Sequence, residues 1–390
     1  MAEPHAVTYL VFIIFTGTAV LSTFALFTRQ SLLVAYIVLG ALFGPWGLKL
    51  INNPVFIKQV GNIGIIFLLF LLGLEMQPQS LFHSLRKMSV ITVVSSLIFF
   101  AIGFLISFLF HYTWEQSCII GIATMFSSTI IGIKLLPTTI LHHQHTGALL
   151  ISILLLQDVV AIIAIFIMEV MSTHTTDIMQ LILFTSAIPV LLIVAYLFQR
   201  FLVTPLLARF DKIHEYIFIL SIGWCLCMAQ ISHIFGLSDE IGAFIAGIAL
   251  ASNPIAFYIA ESLKPLRDFF LVIFFFTIGA SFNFEYFPDV ILPAMALAGL
   301  ILLIKPAVFK WLLHRSGEIP SVSQEIGVRL GQLSEFSLLL VYVAFETNLL
   351  PPLTVYMVEA AIILTFIASC YWIVLRYPTP LAVTDKLRRD

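Results

Sequence analysis

One carboxylate stands near the centre of a long apolar run, Ile151-Ser152-Ile153-Leu154-Leu155-Leu156-Gln157-Asp158-Val159-Val160-Ala161-Ile162-Ile163-Ala164-Ile165-Phe166-Ile167, in which only Ser152, Gln157 and Asp158 are polar. A helix of that length spans a bilayer core and puts Asp158 close to the midplane. An ionised Asp at that depth costs at least ~2.5 kcal/mol, so a carboxylate kept there points to ion binding or ion relay. Three chemistries are open to it: carrying a proton, carrying another cation, or making a structural hydrogen bond to a neighbouring helix. Gln157, beside it, adds an amide carbonyl and an amide donor without charge, which suits a partly dehydrated alkali ion.

Two further constellations could share that work. Lys305 lies in the apolar run Leu300-Ile301-Leu302-Leu303-Ile304-Lys305-Pro306, in the inner half of its segment. It can pair with Asp158, exchange that pairing for a bound cation in step with a proton, or snorkel to the membrane surface. Pro306 next to it releases one helical carbonyl. The run Phe126-Ser127-Ser128-Thr129, flanked by Gly121 and Gly132, sits deep in another apolar segment. Its hydroxyls are either helix–helix glue or part of an unwound stretch whose freed oxygens face the cation. The run Gly331-Gln332-Leu333-Ser334-Glu335-Phe336-Ser337 has a similar character late in the chain. Paired interruptions at corresponding positions in two halves are the sequence pointer to a transporter site. Glu335 either supports the broken helix or takes part in proton transfer.

The elements that must position these groups are membrane helices. Of 390 residues, 61% are apolar and only 10% charged, with mean hydropathy +1.08. Soluble domains carry about 25% charged residues, so the fold class is an all-α polytopic membrane protein. Apolar stretches of spanning length fall at about 7–28, 31–48, 55–74, 88–110, 115–135, 147–170, 178–202, 215–234, 237–253, 267–282, 288–312, 326–346 and 353–375, roughly thirteen in all. The least regular are 237–253, followed by an amphipathic stretch through Lys264, and the short run 267–282. No basic leader precedes the first run, so it is expected to remain as a membrane helix.

Charge sets the orientation. All but three of the nineteen Lys and Arg residues fall in alternate breaks. The exceptions are Lys49 and Lys58 on the opposite side and Lys305 within a span. Positive charge stays inside, which predicts an outer N-terminus and an inner C-terminus in a cytoplasmic membrane. A transmembrane domain over 1–376 is then followed by a short cytoplasmic tail, 377–390.

Other polar residues carry weaker signals. Glu75 closes the third span, Asp239 and Glu240 open the ninth at a helix start that suits acids, and Glu359 sits in the last span without an evident role. His142, His143 and His145 form a loop cluster whose spacing is compatible with metal or pH sensing, but a solvated loop accounts for it. Cys118, Cys225, Cys227 and Cys370 read as small buried hydrophobes, and the Cys225–Cys227 spacing suits neither zinc nor redox chemistry. Gly242-Ala243-Phe244-Ile245-Ala246-Gly247 lies inside a span and reads as a packing run, not a dinucleotide fingerprint. No cofactor, resident metal or nucleic-acid partner is expected.

Seven short motifs occur in order: Gly44-Pro45-Trp46-Gly47, Phe70-Leu71-Leu72-Gly73-Leu74-Glu75, Ser127-Ser128-Thr129, Leu156-Gln157-Asp158, Gly242 to Gly247, Phe275-Phe276-Thr277-Ile278-Gly279, and Gly331-Gln332-Leu333-Ser334-Glu335-Phe336. Together they resemble the membrane domain of the cation:proton antiporter-2 family, most closely its Kef-type potassium/proton exchangers, over essentially the whole chain. The resemblance implies a thirteen-helix, inverted-repeat fold of the sodium/proton-antiporter type, a homodimer, core helices around 88–170 and 288–375, and a dimerisation domain among the rest. It implies that the fifth and twelfth helices are broken and cross at Ser127 to Thr129 and at Ser334 and Glu335. Asp158 falls on the family's ion-binding carboxylate and Lys305 on its membrane lysine; the Gln-Asp pair is of the potassium type. Kef-type members usually continue into a cytoplasmic nucleotide-binding domain, and no such domain is expected here.

The expected function is therefore exchange of K⁺ for H⁺ by alternating access. Ion binding is expected at Asp158, Gln157, Ser127, Ser128 and Thr129, with Lys305 and Glu335 as ion-pair or proton-coupling groups. A Na⁺/H⁺ exchanger of the same fold needs the same Asp158. A gated cation channel is a different class, and no repeated filter loop supports it. Aspartyl enzyme chemistry wants two facing carboxylates, for which only Glu335 and Glu359 are conceivable partners of Asp158, so no enzyme activity is expected.

Overall fold

A computed structural model describes residues 5–51, 54–75, 78–137, 145–172, 178–235, 237–251, 253 and 255–379. His142 and His143 lie outside the described residues, as does the side chain of Glu75. In chain order the helices are α1 (His5–Phe27), α2 (Leu32–Phe43), α3 (Pro54–Glu75), α4 (Pro78–Leu109), α5 (Trp114–Thr124), α6 (Thr129–Lys134), α7 (His145–Ser172) and α8 (Ile178–Phe198). A π-helical turn, Gln199–Val203, leads into α9 (Thr204–Arg209). Then follow α10 (His214–Ile234), α11 (Asp239–Ala251), α12 (Ala256–Ser281), α13 (Phe287–Arg315), α14 (Pro320–Arg329), α15 (Glu335–Glu346) and α16 (Pro352–Arg376).

Among the described residues, eight segments are long and apolar enough to cross a membrane, and Leu32–Phe43 and Gly61–Leu74 are shorter apolar helices. The chain is a multi-pass membrane protein. Two expectations need correction. The run 267–282 is not irregular: it is the second half of one continuous helix, α12, which absorbs Pro265 and the amphipathic stretch before it. The helix expected at 88–110 starts ten residues earlier, at Pro78, a residue whose fixed φ suits a first helical turn.

The chain divides into two compact units. One comprises Met1–Phe15, Gly40–Phe82 and Glu169–Ser281; the other comprises Thr16–Leu39, His83–Met168 and Phe282–Asp390. In the first unit, α3 meets α11 glycine against glycine. A Cβ added at Gly247 would lie 2.1 Å from the carbonyl oxygen of Phe70, and one at Gly73 would lie 2.4 Å from that of Phe244. Small residues let membrane helices approach to backbone contact, where dispersion replaces the hydrophobic drive that lipid does not supply. The Gly242 to Gly247 run is thus part of a helix contact. Trp224 on α10 adds a hydrogen bond from Nε1 to the Ala246 carbonyl, 3.0 Å, and Phe67 stacks on Phe270 with centroids 4.5 Å apart.

The second unit holds its core around α7. Leu149, Leu150, Ile153, Leu154 and Leu156 pack with Met88, Ile91 and Phe99 of α4, Phe309 and Leu313 of α13, and Ile326 and Leu330 of the α14 end. Three- and four-residue steps continue this buried stripe through Gln157, Asp158, Ala161 and Ile165. The polar pair therefore takes positions that helical periodicity assigns to the core.

Candidate ion-binding site

Two helices of the second unit are interrupted. α5 begins with a capping box, in which the Thr113 side chain accepts from the Gln116 amide and Gln116 reciprocates. It stops at Thr124, whose hydroxyl bonds to the carbonyls of Gly121 (2.7 Å) and Phe99 (2.9 Å). Phe126 to Ser128 is non-helical, and Ser128 then caps α6 by accepting from the Ile131 amide at 3.1 Å. In the same way α14 ends at Arg329, and α15 starts after Ser334, whose hydroxyl accepts from the Phe336 amide at 3.1 Å. The break thus spans Phe126 to Ser128, and Thr129 already belongs to α6.

Each interruption leaves backbone groups without helical partners, and a buried group of that kind costs about 1–3 kcal/mol if unmatched. Side chains answer them. Gln157 clamps the first break at both ends of its amide: Oε1 accepts from the Ser127 amide (3.1 Å) and Nε2 donates to the Met125 carbonyl (3.1 Å). Ser127 Oγ donates to the Leu330 carbonyl at 2.9 Å, joining the two breaks directly. Ser337 Oγ donates to the Ala123 carbonyl.

Lys305 serves both breaks at once. Its ammonium donates to the carbonyls of Phe126 and Gln332 and to Ser127 Oγ, the last two at 3.1 and 3.3 Å. It also lies 5.1 Å from the centroid of the Phe99 ring. Fully buried, it does not snorkel. The carbonyls it meets follow the C-terminal ends of α5 and α14, where helix dipoles concentrate partial negative charge. The acids take the complementary place. Glu335, the first residue of α15, accepts from the Ile130 amide through Oε1 at 3.1 Å, with its carboxylate set against Ser128 and Thr129 of the first break. Asp158, 1% exposed, has both carboxylate oxygens 3.3 Å from Thr129 Oγ1.

All seven residues singled out from the sequence fall in this unit: Ser127, Ser128, Gln157 and Lys305 are fully buried, Asp158 and Glu335 nearly so, and Thr129 is half-buried. Ser128 spends its hydroxyl on the α6 cap, and Gln157 acts on backbone as well as standing beside Asp158. Gln332, Thr365 and Ser369 carry no role in the sequence reading, yet they hold the second break. Leu333 N donates to Thr365 Oγ1 (3.2 Å), and Ser369 Oγ donates to Gln332 Oε1 (2.9 Å). The sequence shows only that the hydroxyls of Thr365 and Ser369, four residues apart, share one face of a helix, and not what they bond to. Glu359 is also buried, and among the described residues its Oε2 has no hydrogen-bond partner. His145, outside this cluster, pairs with Glu318 at 2.8 Å.

A multi-pass helical protein with charged and hydrogen-bonding groups gathered where two interrupted helices meet has the architecture of a secondary transporter. The family model for the sodium/hydrogen exchanger transmembrane region matches residues 11–375, and the chain belongs to that family. It is 27% identical over 329 residues to the glutathione-regulated potassium-efflux system protein KefC of Escherichia coli strain K12, a match covering 82% of this chain and 52% of the relative. The KefC of Shigella boydii serotype 18 matches to the same extent. The chain thus spans about half the length of these curated relatives. Among solved structures, the sodium proton antiporter MjNhaP1 from Methanocaldococcus jannaschii at pH 8 has TM-score 0.68 at 16% identity, covering 95% of this chain and 100% of that one. The fold is that of the antiporter.

Proposed function

We propose that the protein is a secondary monovalent cation/proton antiporter, exchanging K⁺ for H⁺, in which cation and proton compete for Asp158. The observation that carries this reading is the placement of one buried carboxylate against Thr129 at the start of α6, beside a break pinned by Gln157. A cation entering there would meet the Asp158 carboxylate, the Thr129 hydroxyl and the remaining lone pair of the Gln157 carbonyl. Oxygen ligands of this kind suit an alkali ion; Ser127 and Ser128 would contribute by shaping the break. A proton on Asp158 removes the charge that attracts the cation, so each substrate leaves as the other binds and neither crosses alone.

Lys305 neutralises the exposed carbonyl ends of α5 and α14 and can compensate Asp158 when no cation is bound. Glu335, a buried carboxylate beside the first break at the Ile130 amide, is a second proton-coupling group. The second unit takes the role of the moving core, and the first that of the dimerisation domain in a homodimer. The N-terminus faces outward and the C-terminus the cytoplasm, in the inner membrane of a bacterial-type cell, following the distribution of Lys and Arg. With one deep Asp as the shared site and Glu335 only relaying its proton, one-for-one exchange is the simplest stoichiometry.

Potassium is favoured over sodium by the Gln157–Asp158 pair and by the potassium-efflux relatives at 27% identity. Sodium is the second reading, favoured by the fold neighbour, a sodium proton antiporter. The test is ion-driven dequenching of a pH dye in proteoliposomes, with K⁺ and Na⁺ compared. K⁺ is expected to give the larger response, and Asp158→Asn to abolish the response to both ions. A response to Na⁺ alone supports the sodium reading; undiminished exchange by Asp158→Asn overturns the assignment of the site.

A further inference from the structure

α16 carries two hydroxyls, those of Thr365 and Ser369, that end on the backbone and side chain of the second break. Thr365 Oγ1 donates to the Ile362 carbonyl of its own helix (2.8 Å) and accepts from the Leu333 amide (3.2 Å), so both of its hydrogen-bonding roles are used. One turn later, Ser369 Oγ meets Gln332 Oε1 at 2.9 Å. The direction of that bond follows from chemistry. Gln332 Nε2 faces two carbonyls, those of Arg329 (2.9 Å) and Ser128 (3.4 Å). Only the amide NH₂ can face two acceptors, so the carbonyl end faces Ser369, and Ser369 must donate.

The chain of contacts then runs from α16 through Gln332 to the first break at Ser128, while the backbone carbonyl of the same Gln332 receives Lys305. Thr365, Ser369, Gln332 and Ser128 are all fully buried or within 1% of it, so water does not replace a lost partner cheaply. Consecutive residues 332 and 333 are thereby tied to one rigid helix at two points.

We propose that α16 is a splint for the ion site: Thr365 and Ser369 are positioning residues that hold both helix interruptions as one unit and thereby set cation affinity. The affinity part rests on the exchange reading; the splint itself does not. Losing either hydroxyl moves the ordering of the break from folding to the moment of binding. A site populated in its competent arrangement only part of the time binds more weakly by that fraction. Loss of one buried hydrogen bond, typically about 1 kcal/mol, corresponds to roughly a fivefold effect.

The experiment has two readouts on the same purified proteins. Hydrogen–deuterium exchange is measured on segments 125–130, 330–334 and, as a distant control, 214–234, for wild type, Ser369→Ala, Thr365→Val and Thr365→Ser. Ser369→Ala is expected to speed exchange about fivefold in both 125–130 and 330–334 and to leave 214–234 alone. Thr365→Val is expected to loosen 330–334, and Thr365→Ser, which keeps the hydroxyl, to restore wild-type protection. Unchanged protection of 125–130 in Ser369→Ala overturns the splint, as does uniform loosening of all three segments without rescue by Thr365→Ser. In proteoliposomes, the apparent cation KM should rise about fivefold in Ser369→Ala and Thr365→Val with maximal rate held within twofold. A fall in rate at constant KM overturns the positioning role. Absence of cation-driven proton movement in the wild type would instead sink the exchange reading, and the exchange-protection data would still decide the splint.

Discussion

The two units share close glycine packing, as Gly247 on Phe70 in the first and Gly327 on Pro306 in the second show, but only the second adds a network built around interrupted helices. In the first, contact is made by removing atoms: Gly73 and Gly247 bring α3 and α11 to backbone distance. In the second, contact is made by adding polar atoms: two helices stop, and Gln157, Lys305, Gln332, Thr365 and Ser369 take up the groups set free. The first arrangement has one good geometry and resists change. The second gathers many buried hydrogen-bonding groups around its two breaks.

This contrast makes the units fail differently, with the largest effect expected in the first. Gly247→Ala puts a methyl 2.1 Å from the Phe70 carbonyl oxygen, and no rotamer relieves a clash with backbone. Overpacking of this kind costs about 3 kcal/mol, seen as a lowered melting midpoint of the detergent-purified protein, with loss of transport only in proportion to lost folded protein. If Gly247→Ala melts like the wild type, the account of the first unit is wrong.

In the second unit, removing atoms does the damage. Gln332→Ala leaves Ser369 without its acceptor and withdraws the donor from the Ser128 and Arg329 carbonyls. A destabilisation of about 2 kcal/mol is expected, together with a rise in cation KM that Gly247→Ala does not produce. The smallest effect sharpens the contrast. Gly299 on α13 belongs to the polar unit and has nothing within 4 Å of an added Cβ. Gly299→Ala should be neutral or stabilising by up to ~1 kcal/mol, since Ala is the better helix former; a loss of stability like that of Gly247→Ala would remove the distinction between the units.

Much of the site is legible in the sequence because its residues violate a pattern. Asp158 and Gln157 stand out as polar members of a buried stripe, and Lys305 as a charge inside a span. Ser128 and Ser334 also carry a readable sign, being cap residues placed just before α6 and α15. The partners of Lys305 are not legible, since the carbonyls of Phe126 and Gln332 have no side-chain signature and become available only when two helices stop. Thr365 and Ser369 are hidden for another reason: a hydroxyl in an apolar span bonds equally well to its own helix, as Thr365 does to Ile362, and sequence does not say where the second bond goes. The early start of α4 is obscured by the mixed run 78–87, in which Gln79, Ser80, His83, Ser84, Arg86 and Lys87 break the apolar pattern although a helix can carry them beyond the apolar core.

The central claim is that proton and cation occupy Asp158 in turn. It is tested most directly by the apparent KM for K⁺ across a series of pH values in proteoliposomes, with maximal rate recorded at each. Competition at one carboxylate predicts that KM rises towards tenfold for each unit of acidification once the proton dominates, while the maximal rate stays constant, and that Asp158→Asn removes transport at every pH. A KM independent of pH, with acid lowering only the maximal rate, would contradict a shared site and place the proton elsewhere.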